Sequence, residues 1–148
     1  MVKITIPLPK DNLARADTES VWAQPRSDGT YVVSNIPFYA RGISRGDVVA
    51  AEPEDGILKF RRVIQHGGHS TYRIYANQGR AAPAVATLLQ ALTKLHCEIE
   101  PATGELIAVD VLPEADIYEV YSTLEEAERS GAVDFQEGHC GHPLRSER

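Results

Sequence analysis

The order of elements between Ser70 and Gln136 constrains this chain more than any other feature. Ser70 to Ala76 alternates as a strand does, and Ala81 to Leu95 then places Val85, Leu88, Leu89, Leu92 and Leu95 at helical spacing. Pro83 falls in the first turn of that helix, where its missing N–H costs nothing. A short strand from His96 to Glu100, a Pro101-Ala102-Thr103-Gly104 turn and a strand from Glu105 to Leu112 follow. Asp116 then offers an N-cap to a helix with Ile117, Val120, Tyr121, Leu124 and Ala127 on one face, closed by Gly131, and Ala132 to Gln136 reads as a last strand. The order β-α-β-β-α-β is the ferredoxin-like split βαβ arrangement. Two helices cover one face of such a sheet, and the other face needs a second layer, a ligand or solvent.

The preceding residues supply that layer. Val2 to Ile6, Ser20 to Gln24, Thr30 to Ser34, Asp47 to Glu52 and Ile57 to Ile64 read as short strands with no helix between them. Ser27-Asp28-Gly29, Arg45-Gly46-Asp47 and Glu54-Asp55-Gly56 punctuate them as turns. The expected fold class is therefore α+β: an N-terminal small antiparallel β-barrel-like sheet over residues 1–66, packed on a C-terminal ferredoxin-like βαββαβ unit over residues 67–137. The apolar stretch from Asn35 to Gly42, interrupted by Pro37, reads as a packed connection crossing one end of the barrel. Residues 138–148 lack periodicity and are expected to form a flexible tail.

Composition narrows the function classes. With 15 Lys+Arg against 21 Asp+Glu the formal net charge is -6, which argues against nucleic acid as a partner. Tyr72 and Tyr75 fall on one strand but on opposite faces, and Glu98, Glu100, Asp110 and Asp134 make the neighbouring strands acidic, unlike an RNA-binding sheet. No apolar run reaches the roughly 18 residues of a membrane span, and Lys3, Pro7 and Pro9 interrupt any leader, so a cytoplasmic location is expected. Cys97 and Cys140 are too few for a disulfide scaffold and are expected to be reduced.

The richest cluster is Gly68-His69-Ser70-Thr71-Tyr72-Arg73. A Ser70 nucleophile served by His69 and oriented by Asp47 or Glu19 fails on geometry, because adjacent residues of a strand point to opposite faces. An anion or carboxylate pocket with Arg73 as its fork fits the residue types better. The competing reading pairs Arg73 with Asp47 or Glu52 where the halves meet, with Ser70 and Thr71 satisfying strand ends. A pocket between the halves would be lined by Trp22, Asn35, Phe38, Asp47, His69, Ser70, Thr71 and Arg73. The spacings of His66, His69, His96, Cys97 and of His139, Cys140, His142 match no zinc-finger pattern, and the last three are only weak metal candidates. No cofactor fingerprint is present.

Four blocks stand in order between Asp17 and Arg73: Glu19-Ser20-Val21-Trp22-Ala23, Asn35-Ile36-Pro37-Phe38, Gly42-Ile43-Ser44-Arg45-Gly46-Asp47-Val48-Val49 and Gly68-His69-Ser70-Thr71-Tyr72-Arg73. In these the chain resembles the bacterial domain-of-unknown-function family 4265, an uncharacterised family whose resemblance implies no reaction. The expected function is that of a non-enzymatic binding or interaction protein, immunity- or regulator-like, with an unknown protein partner drawn to an acidic surface. The alternative is a binder of a small anionic ligand, or an enzyme, with its site between the halves. Oligomeric state is not set by these residues.

Overall fold

A computed structural model describes residues 1–12, 16–102 and 104–145. Thr103, within the turn expected at 101–104, and residues 146–148 of the expected tail lie outside the described residues.

Five strands, β1 (Val2–Pro7), β2 (Thr18–Pro25), β3 (Tyr31–Val33), β4 (Val48–Glu54) and β5 (Ile57–Gln65), follow one another around a closed barrel. Neighbours are antiparallel, and closure comes from a parallel contact of β1 with β5 at Thr5 and Lys59. Two register shifts between β4 and β5, at Val48/Val49 and Ala50/Ala51, give the extra twist that so small a barrel needs. Inward-facing Ile4, Ile6, Val21, Ala23, Val33 and Val49 fill the interior. Ala40 and Ile43 from the connection after β3 join them, so that connection does pack on the barrel.

The second sheet holds β6 (Ser70–Ala76), β7 (Cys97–Pro101), β8 (Leu106–Val111) and β9 (Val133–His139) in the order β7-β8-β6-β9, all antiparallel. Helices α1 (Pro83–Lys94) and α2 (Ile117–Arg129) cover one face. Alternation decides which residues they bury: Tyr72, Ile74 and Ala76 of β6 and Ile107, Val109 and Val111 of β8 join Val85, Leu88, Leu92, Val120 and Leu124 in one core. Asp116 caps α2 by accepting from the Tyr118 and Glu119 amides, whereas α1 starts on Pro83 with no side-chain cap. The chain is thus a mixed α+β protein with a five-stranded barrel and a helix-backed four-stranded sheet. Among the described residues no helix is long and apolar enough to cross a membrane.

Cys97 lies inside the helix-backed core, and burial pushes its thiol up to about 12, with Asp110 adding to the shift. A thiolate is therefore scarce at Cys97 near about pH 8. A chromogenic thiol titration of the native protein is expected to find one fast equivalent, from the half-buried Cys140, and a second only after denaturant is added. Two fast equivalents would show that the core admits reagent.

Candidate functional site

The two layers meet along the sheet face opposite the helices. Thr71, Arg73 and Asp110 lie on that face, and all three are buried. Against them sits the connection from β3 to β4. There the Ser44 amide donates to Asp47 Oδ2 at 2.9 Å, closing a tight turn whose Gly46 adopts φ +91°. The ring of His69 rests on Gly46 so closely that an added Cβ would come 2.9 Å from its Cδ2 and Nε2. This is one position where glycine is required twice over, by backbone angle and by contact.

Hydrogen bonds fix the turn and lock the layers together: Asp47 holds the turn to the segment after β5, and the Arg45–Asp110 and Ser44–Thr71 contacts cross to the second sheet. Asp47, fully buried, accepts from the Ser44 amide, from the Gly67 amide at 2.9 Å and faces His66 Nδ1 at 2.9 Å. Asp110, also fully buried, lies 2.7 Å from His69 Nδ1 and 3.1 Å from Arg45, which also binds Glu98. Ser44 and Thr71 share a 2.6 Å hydroxyl contact. A further contact ties down the chain end: Ser70 Oγ lies 2.6 Å from His142 Nδ1, and His142 Nε2 lies 2.8 Å from the Leu112 carbonyl.

Arg73 departs from the expected carboxylate pairing. Its Nη2 donates to the carbonyls of Pro37 and Ala40, while Glu52 pairs with Arg61 and Asp47 with His66. The reason is register: β6 carries Arg73 two residues beyond Thr71, beneath the 37–40 stretch rather than the Asp47 turn. Glu19 organises that stretch by accepting from the amides of Phe38, Tyr39 and Ala40. Burial lowers the Arg73 guanidinium to about 10, with Glu19 opposing the shift, and among the described residues its Nε and Nη1 have no partner.

The sequence-derived pocket residues therefore fall into separate places. Asp47, His69 and Thr71 surround the Gly46 turn, each engaged with another group of the chain, while Ser70 is on the other face of β6 with His142. Arg73 and Phe38 lie farther along, at the connection after β3. Trp22 and Asn35 do not join either group: the Trp22 amide donates to Asn35 Oδ1, and the indole stands half-exposed beneath Lys3. Ser70 bonds His142 rather than His69, which removes the nucleophile-and-base pairing on contact as well as on strand alternation.

The three weak metal candidates of the chain end do not converge. His142 is buried against Ser70 and Leu112, Cys140 Sγ donates to the His142 carbonyl, and His139 turns the other way. Nor does the expected flexible tail begin at Gly138, because β9 runs on to His139 and residues 140–142 dock against the start of β6. The cause is a bulge. Glu137 pairs with Tyr72 and His139 with Thr71, so Gly138 is the extra residue, and His139 shares the seam-facing side of Thr71. A Cβ on Gly138 would lie 2.1 Å from Arg73 Nη1, so a side chain there would have to displace the Arg73 guanidinium. His139 then stacks on His66, ring centroids 4.3 Å apart. Its pKa is lowered, by burial first and by His66 next.

Sequence reasoning missed His66, Asp110 and Arg45 as seam residues. The available signal was the Gly67-Gly68 pair, which lets His66 and His69 reach either side of the Gly46-Asp47 backbone. A cleft of about 330 Å³ opens at Arg73, lined also by Tyr75, Leu106, Asp134, Phe135 and Gln136.

Comparison with known proteins agrees with this architecture. A crystal structure described as a hypothetical protein from Neisseria gonorrhoeae is similar with a TM-score of 0.81 and 22% sequence identity, covering 95% of this chain and 96% of that one. No curated protein matches the sequence. Residues 19–135 match the family described as "Domain of unknown function (DUF4265)", a span that runs from the Glu19 cap through the seam to β9, and the chain belongs to that family.

Proposed function

We propose that the chain is a non-enzymatic binding protein, immunity- or regulator-like, whose seam is structural and whose recognition surface is the cleft beside Tyr75. One observation carries this reading: the titratable groups that a catalyst would present to a substrate are engaged with one another, Asp47 with His66, Asp110 with His69 and Arg45, and Ser70 with His142. A ferredoxin-like reading of the second half suits this role, since helices cover one face and the barrel covers only part of the other. The remaining part offers Tyr75, which is 49% exposed, with Leu106 beside it and Asp134 and Gln136 at the rim. An aromatic anchor with an acidic rim on a chain of net charge -6 suits a basic protein partner.

Affinity capture from the native host, at low and at raised salt, tests this. Tyr75→Ala is expected to weaken capture of the partner about tenfold or more, as truncation of an aromatic anchor does, with an unchanged melting temperature. Tyr118→Ala on α2 is expected to leave capture intact. Recovery of the chain alone, or capture indifferent to Tyr75, would overturn the reading.

A second reading rests on Arg73. A buried guanidinium with unpartnered Nε and Nη1 beside an apolar cleft suits the carboxylate of a small amphipathic molecule. Benzoate and octanoate serve as probes. Saturable shifts of the Tyr75 ring and Leu106 methyl resonances in the purified chain support this alternative, and none at millimolar probe would remove it.

A further inference from the structure

We propose that Asp47, His66 and His139 form a binding site for a divalent transition metal, zinc by its ligand chemistry, that clasps the barrel to the second sheet. The site is separate from the cleft and does not depend on the function proposed above.

The ligand atoms of these three residues all lie within 4.8 Å of one another. Bonds of about 2.0–2.2 Å from a central zinc to nitrogen and oxygen bring three ligands within that range after small side-chain rotations. Two imidazoles and one carboxylate suit zinc and its neighbours, not magnesium or calcium, which take oxygen ligands. His66 is exposed, so a cation has a route in and a water can complete the coordination.

Two further observations point to a ligand rather than to a chance cluster. His139 Nε2 is buried and has no hydrogen-bond partner among the described residues, although a neutral imidazole carries both a donor and an acceptor. The carboxylate of Asp47 is already held by the Ser44 and Gly67 amides, the kind of outer support that orients a metal ligand. A cation between Asp47 and His66 would replace the hydrogen now shared across 2.9 Å.

The placement also gives the site a role. Asp47 belongs to the connection before β4, His66 follows β5, and His139 ends β9, facing the seam because of the Gly138 bulge. One cation would thus join two barrel segments to the last strand of the other sheet. Metal bound only when those segments are docked stabilises the docked state by mass action.

The experiment uses the full chain without a histidine tag, stripped with EDTA and titrated with zinc chloride against a chromophoric chelator. The expected result is one equivalent of Zn²⁺ per chain and a melting temperature that rises with zinc. His66→Asn and His139→Asn are each expected to weaken binding about tenfold or more, and His96→Asn to leave it unchanged. Cobalt substitution gives a second readout, a tetrahedral visible spectrum lost in both variants. Because His66 is exposed, His66→Asn should keep the wild-type circular dichroism, so the test survives if His139→Asn folds poorly. No saturable binding, or binding indifferent to His66→Asn, would overturn the proposal. Tyr75→Ala should bind zinc normally, which separates this site from the cleft.

Discussion

Replacing Asp47 with alanine is expected to remove about 4 kcal/mol of stability, a large part of the roughly 5–15 kcal/mol that holds a domain of this kind folded. The carboxylate is fully buried and accepts from two backbone amides, those of Ser44 and Gly67, and faces His66. Alanine leaves both amides without a partner, at about 1–3 kcal/mol each, and releases the turn that carries Gly46 against His69. His66→Ala removes only the exposed partner of the same carboxylate and should cost less than about 1 kcal/mol. Asp47→Asn falls between them, because the amide keeps one acceptor but turns its NH₂ toward a donor. Urea denaturation of EDTA-treated protein, which keeps metal out of the comparison, measures all three. An Asp47→Ala midpoint close to that of His66→Ala would show that the turn is held by packing and not by the carboxylate.

The contrast between Asp47 and Asp116 shows how far the sequence could be read. Asp116 acts on amides two and three residues ahead, so its role follows from position, and the helices form where spacing, Pro83 for α1 and the Asp116 cap for α2 put them. Tyr72 and Tyr75 likewise fall on opposite faces of β6, one buried and one exposed, as alternation requires. Asp47 instead meets groups 19 and 20 residues away, and Ser70 meets His142 across 72 residues. Those partners depend on how two sheets dock and on bulges that no local pattern announces. Arg73 illustrates the limit. Its charge pointed to a carboxylate, but the register of β6 delivers it to the Pro37 and Ala40 carbonyls, and the nearby carboxylate of Glu19 is occupied by three amides. The Gly138 bulge is the same kind of case: a strand expected to stop at Gln136 continues, and one extra residue decides that His139 meets His66.

The second large effect is expected at Gly141, where alanine should cost about 3 kcal/mol. A Cβ there would lie 2.2 Å from the carbonyl oxygen of His69 and 3.2 Å from the Gly68 and His69 carbonyl carbons. These are backbone atoms on the segment entering β6, so no flexible side chain can yield. Either that segment or the chain end must move. The segment is held by the Ser44–Thr71 contact, by the His69–Asp110 pair and by the β8 and β9 ladders, so the chain end should lift instead. Lifting it breaks the Gly141–Ser70 and Ser70–His142 hydrogen bonds and the contact of His142 with the Leu112 carbonyl, leaving Ser70 buried without its partners. If Gly141→Ala acts by detaching His142, then His142→Ala removes much of the same stability without any clash, and the double variant should be little worse than Gly141→Ala alone. Urea denaturation of the two single variants and the double variant supplies the cycle, and limited proteolysis should show faster cleavage after β9 in all three. Additive losses would mean that the entry to β6 moves instead, carrying His69 away from Asp110.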